Sequence, residues 1–384
     1  MAGEQIQVTP AVLRWTREQA GFSVGDLLSS FKKLEQWEAD DPESFPTYPQ
    51  IEQLAEKFKV PVAVFFFPEP PDLPPLGNSF RTLPEAMFER IPPRIISMLR
   101  KAKAMQLNLA ELNDGVNPAD RLITRDLTFR PNVPIAVMAR RVREYLGVSL
   151  AQQSSWASDE NALKNWRQVL LGVGLFVFKD AFRFKGYSGF CLYDDEFPII
   201  YVNNSTSKTR QIFTLFHELA HLVFHTSGID ALDQRYRLED FESLPAPARR
   251  IERICNQFAA QFLVPEDVFE ATFSGLEPTE ETAEALAKRF RVSRAVIFLR
   301  FLERDLIGDD TYDAAVKKWA GQTKGSDGGD FYNSQISYLG SRYIGLALGQ
   351  YYQNRINEVQ LADYLNITPK NLGTFEERFA ASGA

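Results

Sequence analysis

Between positions 68 and 75 the chain places five prolines: Pro68, Pro70, Pro71, Pro74 and Pro75. Proline has no amide proton to give a helix or sheet, and its fixed φ favours polyproline II, so this run reads as a semi-rigid spacer. The chain must therefore divide there, with a small unit over 1–67 and a linker over 68–80. A second break falls at 320–330, where Gly321, Gly325, Gly328 and Gly329 mark a flexible linker before a C-terminal helical module over 331–384. A length of 384 residues suits two or three domains, and the stretch 81–319 can bury a sizeable core.

Within the first unit the spacing predicts short helices. One opens with Pro10 at its first position and ends at Gly21; others cover about Ser23–Phe31 and Lys32–Asp40. Thr47 and Gln50 have the spacing of a capping box ahead of Ile51, Leu54, Ala55 and Phe58. Helices are also expected over 92–112, 135–146, 208–225 and 247–263. Leu175–Phe178 reads as a strand, and Phe190–Tyr193 with Pro198–Val202 reads as a hairpin around Asp194-Asp-Glu196. The expected class is α+β, predominantly helical, with a small antiparallel sheet. One pattern occurs three times: Leu54-Ala-Glu-Lys-Phe-Lys-Val60, Leu286-Ala-Lys-Arg-Phe-Arg-Val292 and Leu361-Ala-Asp-Tyr-Leu-Asn-Ile367. Each reads as a helix end, a turn and a new helix, the supersecondary signal of a helix-turn-helix. The second of these, at 282–305, falls within the 81–319 stretch.

Composition removes several classes. Hydrophobic residues at 45% and charged residues at 24% argue against a disordered or fibrous chain. The longest apolar runs, Val60–Phe67 and Val169–Phe178, are too short to cross a bilayer, so no membrane partner is expected. No basic–apolar–small leader pattern opens the sequence, and two cysteines, Cys191 and Cys255, cannot build a disulfide framework. Both point to the cytoplasm. The net charge of −7 excludes a uniformly basic nucleic-acid binder, though not a local basic patch.

The chemistry concentrates in one place. The chain has three histidines, and all lie between 217 and 225. His217-Glu-Leu-Ala-His221 is an H-E-x-x-H motif in a strongly helical stretch. Positions i and i+4 stand above one another on a helix face, so both imidazoles can reach one ion while Glu218, one residue round, is placed to act as general base. A catalytic zinc takes three protein ligands. The position six residues past His221 is Ser227, which excludes a third histidine of the metzincin kind and directs attention to a carboxylate on a later helix. Glu252 fits, with Asn256 one turn on as a hydrogen-bond partner for a ligand. His225 reads as either a structural residue or a hydrogen bonder on the substrate side. Tyr201 and Asn203 are candidates for the substrate side, and the strand Ile199–Asn203 is a candidate for holding an extended substrate by strand addition. The expected cofactor is Zn²⁺, with Mn²⁺ as the alternative. The competing reading of the three histidines is a polar stripe on a surface helix. Cys255 reads as a small buried packing residue.

The string from Arg210 to His225 resembles the signature of the ImmA/IrrE metallopeptidases, as do Gly189-Phe190 and Phe197-Pro-Ile-Ile-Tyr-Val-Asn203 before it. Ile251-Glu-Arg-Ile-Cys-Asn-Gln-Phe-Ala-Ala-Gln-Phe-Leu-Val-Pro265 is similar to that family's second block, which usually carries alanine where Cys255 stands. The resemblance implies a zincin-like core, His217, His221 and Glu252 as ligands, and Glu218 as base. It further implies a protein substrate, a helix-turn-helix repressor whose cleavage releases a stress, phage or mobile-element response. The flanking regions resemble members with an XRE-type helix-turn-helix in front and a helical module behind.

Charge argues against a simple DNA-binding role for the N-terminal unit. Residues 1–70 carry six basic side chains against eleven acidic ones, and the expected recognition helix ends in Glu38-Ala-Asp-Asp41, which repels phosphate. A protein-interaction or sensory role is preferred there, with DNA kept as the alternative partner. Residues 284–304 are basic, with six cations against Glu284 and Glu303, and are expected to pack on the peptidase core. Two rival functions stand beside the endopeptidase. One is a DNA-binding transcriptional regulator using a peptidase-like domain as sensor; the other is a toxin–antitoxin or defence component acting through contacts.

Overall fold

The computed structural model describes residues 4–71 apart from 21, 41, 59 and 61, then 91–182, 186–231, 246–320 and 330–382. The chain forms two compact units, residues 1–81 with 85–101, and residues 82–84 with 102–384. The proline-rich positions 72–80 and the glycine-rich positions 321–329 lie outside the described residues.

In the first unit, α1 (Pro10–Gln19), α2 (Val24–Leu27), α3 (Leu34–Trp37) and α4 (Tyr48–Phe58) precede a 3₁₀ turn at Val62–Phe66. Ser23 and Asp26 cap α2 reciprocally, and the Gln50 side chain accepts the Thr47 N–H at 2.8 Å. The two middle helices are one turn each, shorter than their periodicity predicts. Phe31, Leu34 and Trp37 all turn into one small core, and the Glu38 carboxylate is drawn back to Arg17 of α1 at 2.8 Å. A continuous recognition helix over 32–40 does not form, because its apolar residues are needed at different angles around that core.

α5 (Pro93–Leu112) leads into the second unit, followed by α6 (Ile123–Asp126), α7 (Ile135–Leu146), α8 (Leu150–Ser155) and α9 (Asp159–Leu171). Four strands come next: β1 (Phe176–Asp180), β2 (Tyr187–Leu192), β3 (Ile199–Asn203) and, after α10 (Lys208–Val223), β4 (Gly228–Ala231). Their order is β1-β3-β2-β4. The β2–β3 hairpin is antiparallel as expected, but β1 runs parallel to β3, so the sheet is mixed. The class is α+β, predominantly helical. α11 (Ala246–Leu263) packs on α10, and α12 (Glu266–Phe273), α13 (Glu280–Phe290), α14 (Arg294–Glu303) and α15 (Asp309–Ala320) complete the core domain. The same unit continues with α16 (Phe331–Leu339), α17 (Ser341–Tyr352), α18 (Glu358–Leu365) and α19 (Leu372–Ala381), which do not divide from it as the expected C-terminal module. No described helix is long and apolar enough to cross a membrane.

The three copies of the Leu-Ala pattern share one backbone device. The N–H groups of Val60, Val292 and Ile367 donate to the carbonyls of Ala55, Ala287 and Ala362, five residues back in each case. This closes a helix end around a left-handed residue, seen at Arg291 and Asn366. The alanines are buried, so the motif records a compact helix exit rather than a DNA contact by itself.

Candidate metal centre

The helix carrying the histidines is enclosed. Ser207 accepts the Arg210 N–H at the start of α10, and every residue from Gln211 to Val223 is buried. A helix apolar on nearly all sides belongs inside a core. Here it lies between the sheet and α9 and α11. Trp166 of α9 meets Phe216 edge-on at 4.7 Å, and Phe216 stacks on Phe262 of α11 at 4.1 Å. Those three rings fix the roll of α10 and direct its other face, with His217 and His221, toward α11 and β4. On the sheet side, a Cβ at Gly189 would stand 2.5 Å from Thr214 and 2.7 Å from the Tyr201 carbonyl, so only glycine lets α10 settle onto β2.

His217, His221 and Glu252 converge there, all buried. The two Nε2 atoms are 3.3 Å apart, and the Glu252 oxygens lie 3.2 Å from His217 Nε2 and 3.4 Å from His221 Nε2. Nitrogen and oxygen donors bound at about 2.0–2.1 Å to a tetrahedral ion stand roughly 3.3 Å from one another, so the two imidazoles and the carboxylate, with one oxygen toward each ring, are spaced as ligands of a single ion. The Nδ1–H of His217 donates to Asn256 Oδ1 at 2.8 Å, which leaves the Nε2 lone pair pointing at its neighbours. Facing lone pairs capped by a carboxylate, in a buried setting, suit a cation. Burial by itself raises the Glu252 pKa, but the adjacent His221 and His217 rings outweigh it and bring it down to about 2. His221 Nδ1 is buried without a hydrogen-bond partner among the described residues. Packing orients this ring instead, since a Cβ at Gly228 would meet it at 2.5–2.8 Å.

Glu218 sits fully buried one position round the helix, against the Cys191 thiol. Burial, and then the Glu218 charge, push that thiol well above its usual pKa, so Cys191 stays protonated; its Sγ accepts the Gly228 N–H at 3.2 Å. Gly228 and Cys191 are the two neighbours of the cluster that the sequence pattern does not single out. The available signal for Gly228 was slight, a glycine seven residues past His221 at the head of a short strand-forming run. Cys255 is buried within the core of α11, as a packing residue should be.

Three candidate positions fall elsewhere. α10 ends at Val223, and His225 has a left-handed backbone, φ 58°, outside the helix. Its Nε2–H donates to the Thr124 carbonyl at 2.9 Å and its ring packs on Tyr193, so it ties the helix exit to α6 rather than facing substrate. Tyr201 is buried on the sheet face away from α10, stacked on Phe190 at 5.2 Å. Asn203 is also buried. It donates to the Tyr187 carbonyl and accepts the Phe182 and Ser205 N–H groups, building the turn beyond β3. The β3 strand itself is paired on both sides, with β1 and β2, and has no edge to offer a substrate. The strand at the sheet edge beside His221 is β4. Two cations of the basic segment are engaged internally: Arg300 binds the Val264 carbonyl and Gln261, and Arg304 binds Glu266.

Residues 174–301 match the IrrE N-terminal-like domain. The radiation response metalloprotease IrrE of Deinococcus radiodurans is 32% identical over 103 residues, covering 26% of this chain and 30% of the relative. The protein of the same description from Deinococcus deserti is 30% identical over 114 residues, covering 29% and 38% respectively. The chain thus spans about a third of the length of these curated relatives.

Proposed function

We propose that this chain, whose residues 174–301 match the IrrE N-terminal-like domain, is a zinc-dependent endopeptidase acting on a regulatory protein. The observation that carries the reading is the convergence of His217 Nε2, His221 Nε2 and Glu252 within 3.4 Å of one another, with Glu218 on the same helix. Two imidazoles and one carboxylate are the donor set of a catalytic zinc, with a position left open. An ion held there supplies Lewis acidity to a peptide carbonyl and to water. Asn256 keeps the His217 ring in the tautomer that leaves Nε2 free. The Glu218 carboxylate takes the proton from the attacking water and returns it to the nitrogen of the leaving amine. β4 offers its outer edge to an extended substrate segment, in place of the β3 edge expected from sequence.

In this reading residues 1–67 serve as a helical interaction or sensory module and 331–384 as an accessory part of the core unit, and the enzyme works in the cytoplasm. The substrate class is a helix-turn-helix repressor, by analogy with the family. The test is Glu218→Gln, which keeps the size of the side chain and removes its basicity. Metal content should stay near one ion per chain, while new N-termini generated in a labelled extract of the host's proteins should fall by about 10²–10⁴-fold. Zinc bound equally in both proteins with identical N-terminal profiles would overturn the assignment.

A further inference from the structure

A cavity lies at the opposite edge of the sheet from β4, lined by α9, β1 and the junction of α16 with α17. Its volume is about 240 Å³. Lys164, Arg167, Lys179 and Arg342 line it against a single carboxylate, Glu160, which is itself paired with Lys208 at 2.8 Å. Lys179 is the unusual member. It is only 3% exposed, and its ammonium meets solvent at the cavity rather than a hydrogen-bond or ion-pair partner among the described residues. A lysine almost never goes inside unpaired, because removing its charge from water is costly. Arg167, by contrast, is committed to structure. It donates to the Val177 carbonyl on the free edge of β1 at 2.8 Å and to the Ser337 carbonyl at 2.9 Å, tying the sheet to the C-terminal helices.

The junction adds a further donor. α17 starts after Gly340, at φ 82°, with no side chain capping its first N–H groups. A Cβ at Gly340 would stand 3.2 Å from the Arg167 guanidinium, so the bare residue keeps this end of the cavity open. An uncapped helix start favours an anion. The remaining wall is apolar, from Leu163, Leu171, Phe176 and Leu339.

We propose that this cavity binds a small phosphomonoester with an apolar or planar body, its phosphate held by Lys179, Arg342 and the start of α17. The site is separate from the candidate metal centre and does not depend on the peptidase reading. Lys179 gains the counter-charge it lacks, and the ligand bridges the sheet and the C-terminal helices. The lysine's state supports this. Burial, then Arg167 and Lys208, lower its pKa to about 7, with Glu160 acting the other way. A bound phosphate reverses that balance, so binding at pH 8 takes up a proton.

The experiment is calorimetric titration of the full chain with AMP, inorganic phosphate and adenosine at pH 8, in buffers of different ionisation enthalpy. AMP should bind with proton uptake, phosphate more weakly, and adenosine not measurably. Lys179→Met replaces a buried, largely neutral amine at pH 8 with an apolar side chain of similar length, so it should fold at least as well as the parent. It should weaken AMP by at least ~10-fold, the worth of a charge-assisted hydrogen bond, and abolish the proton uptake. Arg342→Ala, at an exposed position, should weaken AMP without altering the fold. Absence of AMP and phosphate binding, binding of adenosine as tight as AMP, or equal affinity in Lys179→Met would each overturn the proposal.

Discussion

At the scale of single residues, Glu252 and Asn256 stand one helical turn apart and should fail in different ways. Glu252→Ala takes away one of three donors and leaves two imidazoles facing each other across a buried gap. Zinc affinity should then fall by orders of magnitude. Asn256→Ala leaves all three donors in place but releases the His217 ring, whose Nδ1–H loses its 2.8 Å acceptor. Losses of about 10–100-fold are typical for such partners. Competition against a chelator of known affinity separates the two outcomes, and equal affinities in both variants would place the third donor elsewhere. These positions were readable because a helix puts i and i+4 on one face, and such spacing is a local property. Tyr201 and Asn203 fall away from the centre, and His225 takes the structural one of its two readings, for a matching reason. Each lies near the motif in the sequence, but a helix end and the two faces of a strand send their side chains to other neighbours.

At the scale of elements, the centre depends on how closely β4 approaches α10. Gly228 touches the His221 ring with no room for a methyl group, and its N–H is bonded to Cys191 on β2. Both the strand and the core behind the imidazole are held, so the ring cannot retreat. Gly228→Ala should therefore displace His221 and lower both metal content and turnover. The cost in stability should be about 1–3 kcal/mol, as for other overpacked sites. Metal analysis together with a thermal melt checks this; full zinc occupancy in the variant would show that the strand yields. The long helices over 92–112 and 135–146 were predicted within a residue at their ends, since periodicity and flanking prolines mark them. The one-turn helices α2 and α3 were not, because a four-residue helix is decided by the core it borders.

At the scale of the whole molecule, the two arginines of positions 1–70 are held in ion pairs, which leaves lysines as the basic side chains that could meet a polyanion there. Arg17 is buried against Glu38, and Arg14 is paired with Asp40 at 3.0 Å. With eleven acidic residues against six basic ones in positions 1–70, the net charge opposes the phosphate contacts that dominate DNA affinity. The full chain should retard duplex DNA only at low salt and without sequence preference, and the complex should dissolve by about 0.15 M salt. A tight, selective complex in a shift assay would overturn this and make the N-terminal unit a DNA reader. The sequence by itself determined what depends on neighbours along the chain: the helix bearing His217, Glu218 and His221, the hairpin of β2 and β3, and the three helix exits that share a leucine–alanine pattern. Only the tertiary structure decided which strand lies at the sheet edge, which ring faces which side of the sheet, and how closely Gly228 meets His221. It also decided that Lys179 faces the cavity beside β1. The physical reason is range. Helix spacing and turn chemistry act over a few residues, whereas strand order, burial and charge pairing depend on segments brought together from 100 or more positions apart, such as Lys179 with the 330–345 junction.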